Sequence, residues 1–377
     1  MEIHADPEGL LLFWQILFAV SAAVQLAYLI LVYSRPAFYK PDFGTALLPP
    51  VSVVIAARNE AENLRRHLPL ILEQDYADFE VVVVNHASYD DSSELLRELA
   101  AQYPRLRVSE IPPNERYEGG KKFAVTIGLK AARHERILLT DADCRPSGKG
   151  WIRTMVASAR KEEDIVLGYS PFVKSRGLLN ALIRFDGVWT ALNYFGFALA
   201  GKPYMGVGRN LSYPRSSFFA AGGFRSHYSI PSGDDDLLVN QIARRDNTAV
   251  CLSREGLMET LPEKTWKAYW RQKRRHLTTG FRYRPHHRVL LVLQPVSLIL
   301  FFVASAALLV SGVWVYAVLG VLLLRVSLQI AIFSRSSRWL GQKDLAFLAP
   351  VLEIFALLFT ACVHFANAAT KQTKWKT

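Results

Sequence analysis

Apolar residues gathered into long uncharged runs at both ends of the chain constrain this sequence more than any other feature. Residues 10–33 carry no charged side chain, and at about 1.5 Å per helical residue such a run is long enough to cross a hydrocarbon core. It is too long for the apolar stretch of a cleaved leader, and neither a basic segment before it nor a small-residue cleavage site after it is present, so a transmembrane helix is expected. Glu2, Asp6 and Glu8 precede the run while Arg35 and Lys40 follow it, which places the next residues in the cytoplasm, as at a bacterial inner membrane. Near the other end, residues 289–333 contain one charge, Arg325, over about twice the length of a single crossing. Two helices turning near Ser311-Gly312 are expected, with Arg325 in the cytoplasmic half of the second and able to snorkel. Residues 345–369 form a third apolar stretch, interrupted by Glu353 and His364. A crossing there would put Lys371, Lys374 and Lys376 outside, against the charge rule, so re-entry or an interfacial position is expected, giving two or three helices in this C-terminal region.

The chain is 51% hydrophobic yet 21% charged, so its polar residues concentrate between these runs. After Pro49-Pro50, residues 51–56 read as a short buried strand, and Arg58-Asn59-Glu60 turns into a helix running to Glu73 with Asn59 as its N-cap. A second strand over 81–84 leads through Asn85-His86-Ala87-Ser88-Tyr89-Asp90-Asp91 into a helix ending at Ala101. The third unit is a helix over 121–133 and a strand that closes in Asp141-Ala142-Asp143. Strand, polar loop and helix in repetition imply an α/β domain with a mostly parallel sheet, whose ligand sits beyond the carboxyl ends of the strands. The expected organisation is a membrane helix and linker over 1–45, an α/β domain over 46–288 and a membrane region over 289–377. Residues 178–200, broken by Arg184, Asp186 and Asn193, are expected to lie as an amphipathic segment on the membrane face, a buried domain helix being the alternative.

The net charge of +12 suits nucleic acid, anionic lipid or a phosphorylated substrate. Seven Arg or Lys and three His residues crowd positions 271–288, directly ahead of an apolar run, which favours lipid or phosphate and argues against a nucleic acid. Cys144, Cys251 and Cys362 are far apart with no CxxC spacing, so neither a disulfide framework nor a zinc site is indicated and a reducing compartment is the default. His67 and His134 have no ligand spacing and read as surface residues.

At the end of the Ile137-Leu138-Leu139-Thr140 strand, the carboxylates of Asp141 and Asp143 flank one small residue. That pattern suits Mg2+ or Mn2+ holding a diphosphate, although acidic pairs at strand ends are also found as solvated turns. Lys121 and Lys122 follow Gly119-Gly120, so a phosphate contact is open to them, with Lys122 the candidate; a solvated pair is the plain alternative. Asp234-Asp235-Asp236 opens a helix, where three carboxylates are favoured electrostatically whatever else they do. Trp266, Tyr269 and Trp270 suit either stacking on a sugar or anchoring at a membrane interface.

Taken in order, these pieces resemble the family 2 glycosyltransferases, in particular the membrane-embedded branch with cellulose and hyaluronan synthases and ceramide glucosyltransferase. The resemblance covers about residues 49–280. Ala57-Arg58-Asn59-Glu60 is similar to the family's first nucleotide-contacting loop, Asp141-Ala142-Asp143 to its Asp-x-Asp, Gly233-Asp234-Asp235-Asp236-Leu237 to its Glu-Asp-x-Asp-Leu, and Gln272-Lys273-Arg274-Arg275-His276 to Gln-x-x-Arg-Trp. The resemblance implies a GT-A fold and inverting transfer from a nucleotide-sugar, with a UDP-sugar as the expected donor, to a lipid or glycan acceptor. It implies Ala57, Arg58, Glu60 and Asn85 at the nucleotide, Asp141 and Asp143 at a divalent cation, and Asp143 as the more direct ligand. Asp234 becomes the base that takes the acceptor proton, with Asp235 and Asp236 as its local competitors and otherwise substrate contacts. Arg209 and Asn210 fall on the acceptor side, and Gln272 and Arg275 on the diphosphate.

Three positions depart from the pattern. Asn85-His86-Ala87-Ser88 replaces Asp-Asp-Gly-Ser, which leaves the base open, although an Asn amide oxygen accepts from the N3–H of uracil. Gly233 replaces the Glu beside the presumed base, and His276 replaces the Trp that processive members keep. Processive polysaccharide synthesis and a nucleotide-sugar-binding membrane protein without turnover are the alternatives these departures leave standing.

Overall fold

The structure is a computed structural model, and it describes residues 7–41, 48–113, 120–162 and 164–370. Gly119 and the three lysines beyond Thr370 lie outside the described residues.

Runs of β-branched and aliphatic residues make the centre of the domain: β1 (Val51–Ala57), β2 (Phe79–His86), β3 (Leu106–Ile111) and β4 (Arg136–Asp141) are parallel neighbours in the order β3-β2-β1-β4. Both faces of β1 and β2 are covered, which is why their sequences are apolar without alternation. Val51, Val53 and Ile55 pack under the Ala61–Leu72 and Ser92–Gln102 helices, whereas Val54 joins Leu129 on the opposite face. After β5 (Cys144–Pro146), the sheet is extended beyond β4 by β6 (Ile165–Leu167), β7 (Leu211–Pro214) and β8 (Thr248–Val250) in the order β4-β7-β6-β8, with β7 antiparallel to both of its neighbours. β5 and β9 (Met258–Thr260) form a separate antiparallel ribbon. This is the mostly parallel sheet the repeats imply, in keeping with the GT-A fold the resemblance implies. In register, Ala57 lies opposite Asn85 and Ala56 opposite Asp141, so three candidate loops leave the sheet at one edge.

The first of those loops differs in detail from expectation. Asn59 does not cap the Ala61–Leu72 helix. It adopts φ +54°, its N–H donates to Ser88 Oγ (2.9 Å) and its Oδ1 accepts from the Tyr89 N–H (2.8 Å), tying the β1 and β2 loops together. The helix start is satisfied across that junction instead, by Asp90 Oδ2 accepting from the Ala61 N–H at 2.9 Å.

The Leu178–Leu199 helix is a buried domain helix, not a surface amphipathic one. Every polar residue that seemed to break it has a distant partner. Arg184 donates to Gln342 (2.6 Å) and pairs with Asp344, Asp186 accepts from Lys273 Nζ (2.8 Å), and Asn193 accepts from the Tyr33 hydroxyl (3.1 Å). Gly196 sits where a Cβ would stand 2.7 Å from the Val32 carbonyl oxygen, so the absent side chain is what lets the first membrane helix lie against the domain. That contact falls in a π-helical segment, Tyr28–Tyr33.

Among the described residues, four helices are long and apolar enough to cross a membrane: Glu8–Phe38, Pro285–Val310, Val315–Leu340 and Ala349–Ala369. Arg325 does not snorkel. It is 2% exposed, donates to Glu353 Oε2 at 2.7 Å, and also reaches Gln25 Oε1 (3.1 Å) and Gln329 Oε1 (3.3 Å). Gln25 Nε2 continues to the Gln294 carbonyl (2.9 Å) and Ser297 Oγ (2.8 Å), so one polar network touches all four helices. The Glu353 that seemed to interrupt the last apolar stretch is the partner of that arginine, and Ala349–Ala369 of that stretch is one unbroken helix. Trp266, Tyr269 and Trp270 also find partners inside the protein. All three pack on Phe359 of the last helix, with Tyr269 stacked at 5.2 Å between centroids, so they form a helix joint and not a sugar platform.

Candidate active site

β4 delivers Asp141 to the sheet edge, and the Lys121–Ala131 helix starts beside it. Lys121 Nζ lies 2.8 Å from Asp141 Oδ1 and 3.0 Å from Asp234 Oδ2, so a single ammonium joins the acid of the Asp-x-Asp turn to the acid at position 234. Burial works against charge on Lys121, but Asp141, Asp234 and Asp235 outweigh it and raise its pKa well above the usual lysine range. Burial likewise opposes charge on Asp234, and the Lys121 ammonium reverses this and holds the carboxyl below its ordinary value. Among the described residues Asp143 has no salt-bridge partner. Burial and then the charge of Asp141 push it up, while Arg209 pulls it down. Two carboxylates that repel each other in a shielded pocket favour a bound cation.

The remaining acids hold the backbone. Asp235 Oδ2 accepts from the Gly208 N–H at 2.7 Å, and burial followed by the charges of Asp234 and Asp236 raises its pKa to about 7. Asp236 is turned away from the cleft, where its Oδ2 accepts from Thr279 Oγ1 (2.5 Å) and the Tyr283 hydroxyl (2.6 Å). It fastens the Asp236–Ile242 helix to the segment after the Trp266–His276 helix, so a substrate contact does not fit. Gly233 has φ +95°, and a Cβ there would stand 2.5 Å from Leu237 Cδ1, so this backbone has no room for a Glu.

Three other expected substrate contacts are structural. Lys122 Nζ donates to the carbonyls of His227 (2.5 Å), Ile230 (2.8 Å) and Ser232 (2.8 Å), which uses all three of its hydrogens. The lysine in the cleft is Lys121. Asn210 is fully buried, its Oδ1 accepting from Trp151 Nε1 (3.0 Å) and its Nδ2 donating to the carbonyls of Tyr169 and Gly256, both at 2.8 Å. Asn85 is buried too, donating to Ser93 Oγ (2.8 Å) and Glu110 Oε2 (2.9 Å) and accepting from Ser88 Oγ (2.6 Å). The contact to a uracil N3–H expected of it is thus given to Ser88. His67 is not a surface residue, since its Nδ1 lies buried 3.4 Å from the Ala142 carbonyl oxygen, beneath the acidic turn.

Of the other candidates, Glu60 and Arg209 are near enough to Asp143 to act on its charge. Glu60 acts on the charge of Asp143 and Arg58 on that of His86, which places the loop after β1 at the rim; Ala57, itself buried, ends the strand. The Arg209 guanidinium lies 4.8 Å above the Phe172 ring and acts on Asp143. On the Trp266–His276 helix, Gln272, Arg275 and His276 share one face by their spacing of three and four. Burial holds the His276 imidazole well below its usual range, the charges of Arg275, Lys273 and Arg209 act in the same sense and Asp234 opposes them, so His276 lies near the acids of the cleft. Lys273 fixes the helix through Asp186.

Residues 52–216 match the sequence profile described as Glycosyl transferase family 2. The chain thus carries a family 2 glycosyltransferase segment over those residues. It is 29% identical over 135 residues to glycosyltransferase AglE of Haloferax volcanii (35% of this chain, 43% of the relative). It is 32% identical over 117 residues to the beta-monoglucosyldiacylglycerol synthase of Trichormus variabilis (30% and 24%), and 26% identical over 239 residues to the probable glycosyltransferase YdaM of Bacillus subtilis (60% and 54%). The chain thus spans about a quarter to a half of the length of these curated relatives. Among solved structures, the mannosyltransferase PcManGT of Pyrobaculum calidifontis, in complex with GDP-Man and Mn2+, shares the fold, with a TM-score of 0.57 and 21% identity over 92% of this chain and 99% of the other.

Proposed function

We propose that this protein moves a sugar from a nucleoside diphosphate sugar to a hydroxyl of a lipid or lipid-linked acceptor, with inversion, at the cytoplasmic face of a membrane. The observation that carries the reading is the convergence of Asp141 and Asp234 on one ammonium, with Asp143 and Arg209 beside them. A lipid acceptor is supported by the direct packing of the domain on apolar helices and by the glucolipid-synthase relative.

Among the described residues no three carboxylate, imidazole or thiol groups stand close enough to hold a metal alone. The donor set of Asp141 and Asp143 nevertheless fits Mg2+ or Mn2+, which commonly take one or two carboxylates and complete their shell with phosphate oxygens and water. When bound, such an ion neutralises the leaving diphosphate as a Lewis acid. Arg275 offers a planar fork to the same phosphates, and Gln272 lies one turn before it. Asp234 accepts the proton of the acceptor hydroxyl as that oxygen attacks the anomeric carbon. With one base and direct attack, the configuration at that carbon inverts. His276, in place of a tryptophan, gives the acceptor side a polar rim in place of a broad apolar platform, which favours a single transfer.

The test is to incubate the purified full-length protein with a panel of nucleotide-sugars and a bacterial lipid extract, and to read product masses. A lipid gaining one sugar from one donor, and losing that gain with a chelator, is expected. No lipid product from any donor, or a ladder of many sugars, overturns the reading.

A further inference from the structure

We propose that Lys121 is a removable internal cation, holding Asp141 and Asp234 together while the cleft is empty and giving up Asp141 when a divalent cation and the donor diphosphate arrive. The inference rests on the reading of Asp141 and Asp143 as cation ligands.

The geometry is one of competition. Lys121 Nζ is within 3.0 Å of both carboxylates, so an ion taking Asp141 would meet a positive charge already in place. The cleft also holds Asp143 and Asp235, and with Lys121 removed Asp143 would face Arg209 and Asp234 would face Lys122, whose ammonium is held by carbonyls. An ammonium is suited to a temporary role, because it is a point charge on a four-carbon stem with three rotatable donors. Its neighbour shows the contrast. Lys122 is clamped by three carbonyls of residues 227–232, the loop that leads into Asp234. The backbone at 121–122 is therefore fixed to the base loop, while the Lys121 side chain alone spans to β4.

Two consequences follow. A divalent cation alone must displace Lys121 from Asp141 with no new anion to receive it, so cation binding without nucleotide is weak. A nucleoside diphosphate supplies that anion, so cation and nucleotide reinforce each other by more than their own mutual attraction.

The experiment measures Mn2+ binding by electron paramagnetic resonance on the purified full-length protein, with Mn2+ alone and with Mn2+ plus GDP or UDP. Lys121→Met and Lys121→Gln are expected to bind Mn2+ alone at least about tenfold more tightly than wild type, and to gain less from nucleotide. Lys121→Arg, keeping the charge, is expected to stay weak. If whichever neutral variant folds binds Mn2+ alone no more tightly than wild type, the proposal is overturned. Asp143→Asn separates the two readings: loss of Mn2+ binding in both conditions upholds the ligand assignment, and unchanged binding removes that assignment and this proposal with it.

Discussion

Replacing Asp234 by Asn is expected to lower sugar transfer by about 10² to 10⁴-fold, the range over which a positioned general base contributes. The substitution is nearly isosteric, so the fold has no reason to change, and the residues assigned to the diphosphate are untouched. Donor affinity should therefore stay within a few-fold of wild type while single-turnover transfer collapses. Asp235 and Asp236 are the neighbours able to hide such an effect. Asp235 is held by the Gly208 and Asp236 N–H groups, at 2.7 and 2.8 Å, and Asp236 by Thr279 and Tyr283. Neither is free to replace the missing carboxylate. Transfer at more than about a tenth of the wild-type rate would place the base elsewhere.

Glu353→Leu is expected to be the most destabilising single change in the membrane region. Arg325 and Glu353 are 2% and 4% exposed, and removing one partner leaves a guanidinium among apolar helices with only glutamines to meet it. Breaking a buried pair in this way costs about 3 to 5 kcal/mol, because the surviving charge is uncompensated. Removing both charges together, as Arg325→Leu with Glu353→Leu, should recover much of that loss, since the penalty lies in the unpaired ion. Unfolding in detergent micelles checks both. Equal losses in the single and double variants would mean that the pair itself, and not the orphaned charge, carries the stability.

The features visible in the sequence were those with a local signature. Aliphatic runs marked β1, β2 and β4, the uncharged runs marked the long apolar helices, and the order of the acidic segments pointed to the family. The strands that extend the sheet beyond β4, β6, β7 and β8, are only three or four residues long and carry no period of their own. Side-chain direction was also hidden. Lys121 and Lys122 are adjacent in sequence, and only the loop at 227–232 decides which faces the cleft. Asn85, Asn210 and Asp236 have the chemistry of ligand contacts, but their partners are the protein's own backbone and hydroxyls, some of them far along the chain. The same holds for Arg184, Asp186 and Arg325, whose charges signalled exposure by composition and are matched by groups 28 to 160 residues away. Gly233 looked like a lost carboxylate, and the backbone at φ +95° shows why glycine is there.

The most direct measurement is the broadening by Mn2+ of the ³¹P signals of GDP or UDP bound to the full-length protein, compared between wild type, Asp141→Asn and Asp143→Asn. Strong broadening of the diphosphate signals in the wild type, largely lost in the Asp143 variant and reduced in the Asp141 variant, is the predicted result. Broadening that is the same in all three proteins would contradict the assignment of these two acids to the donor's diphosphate.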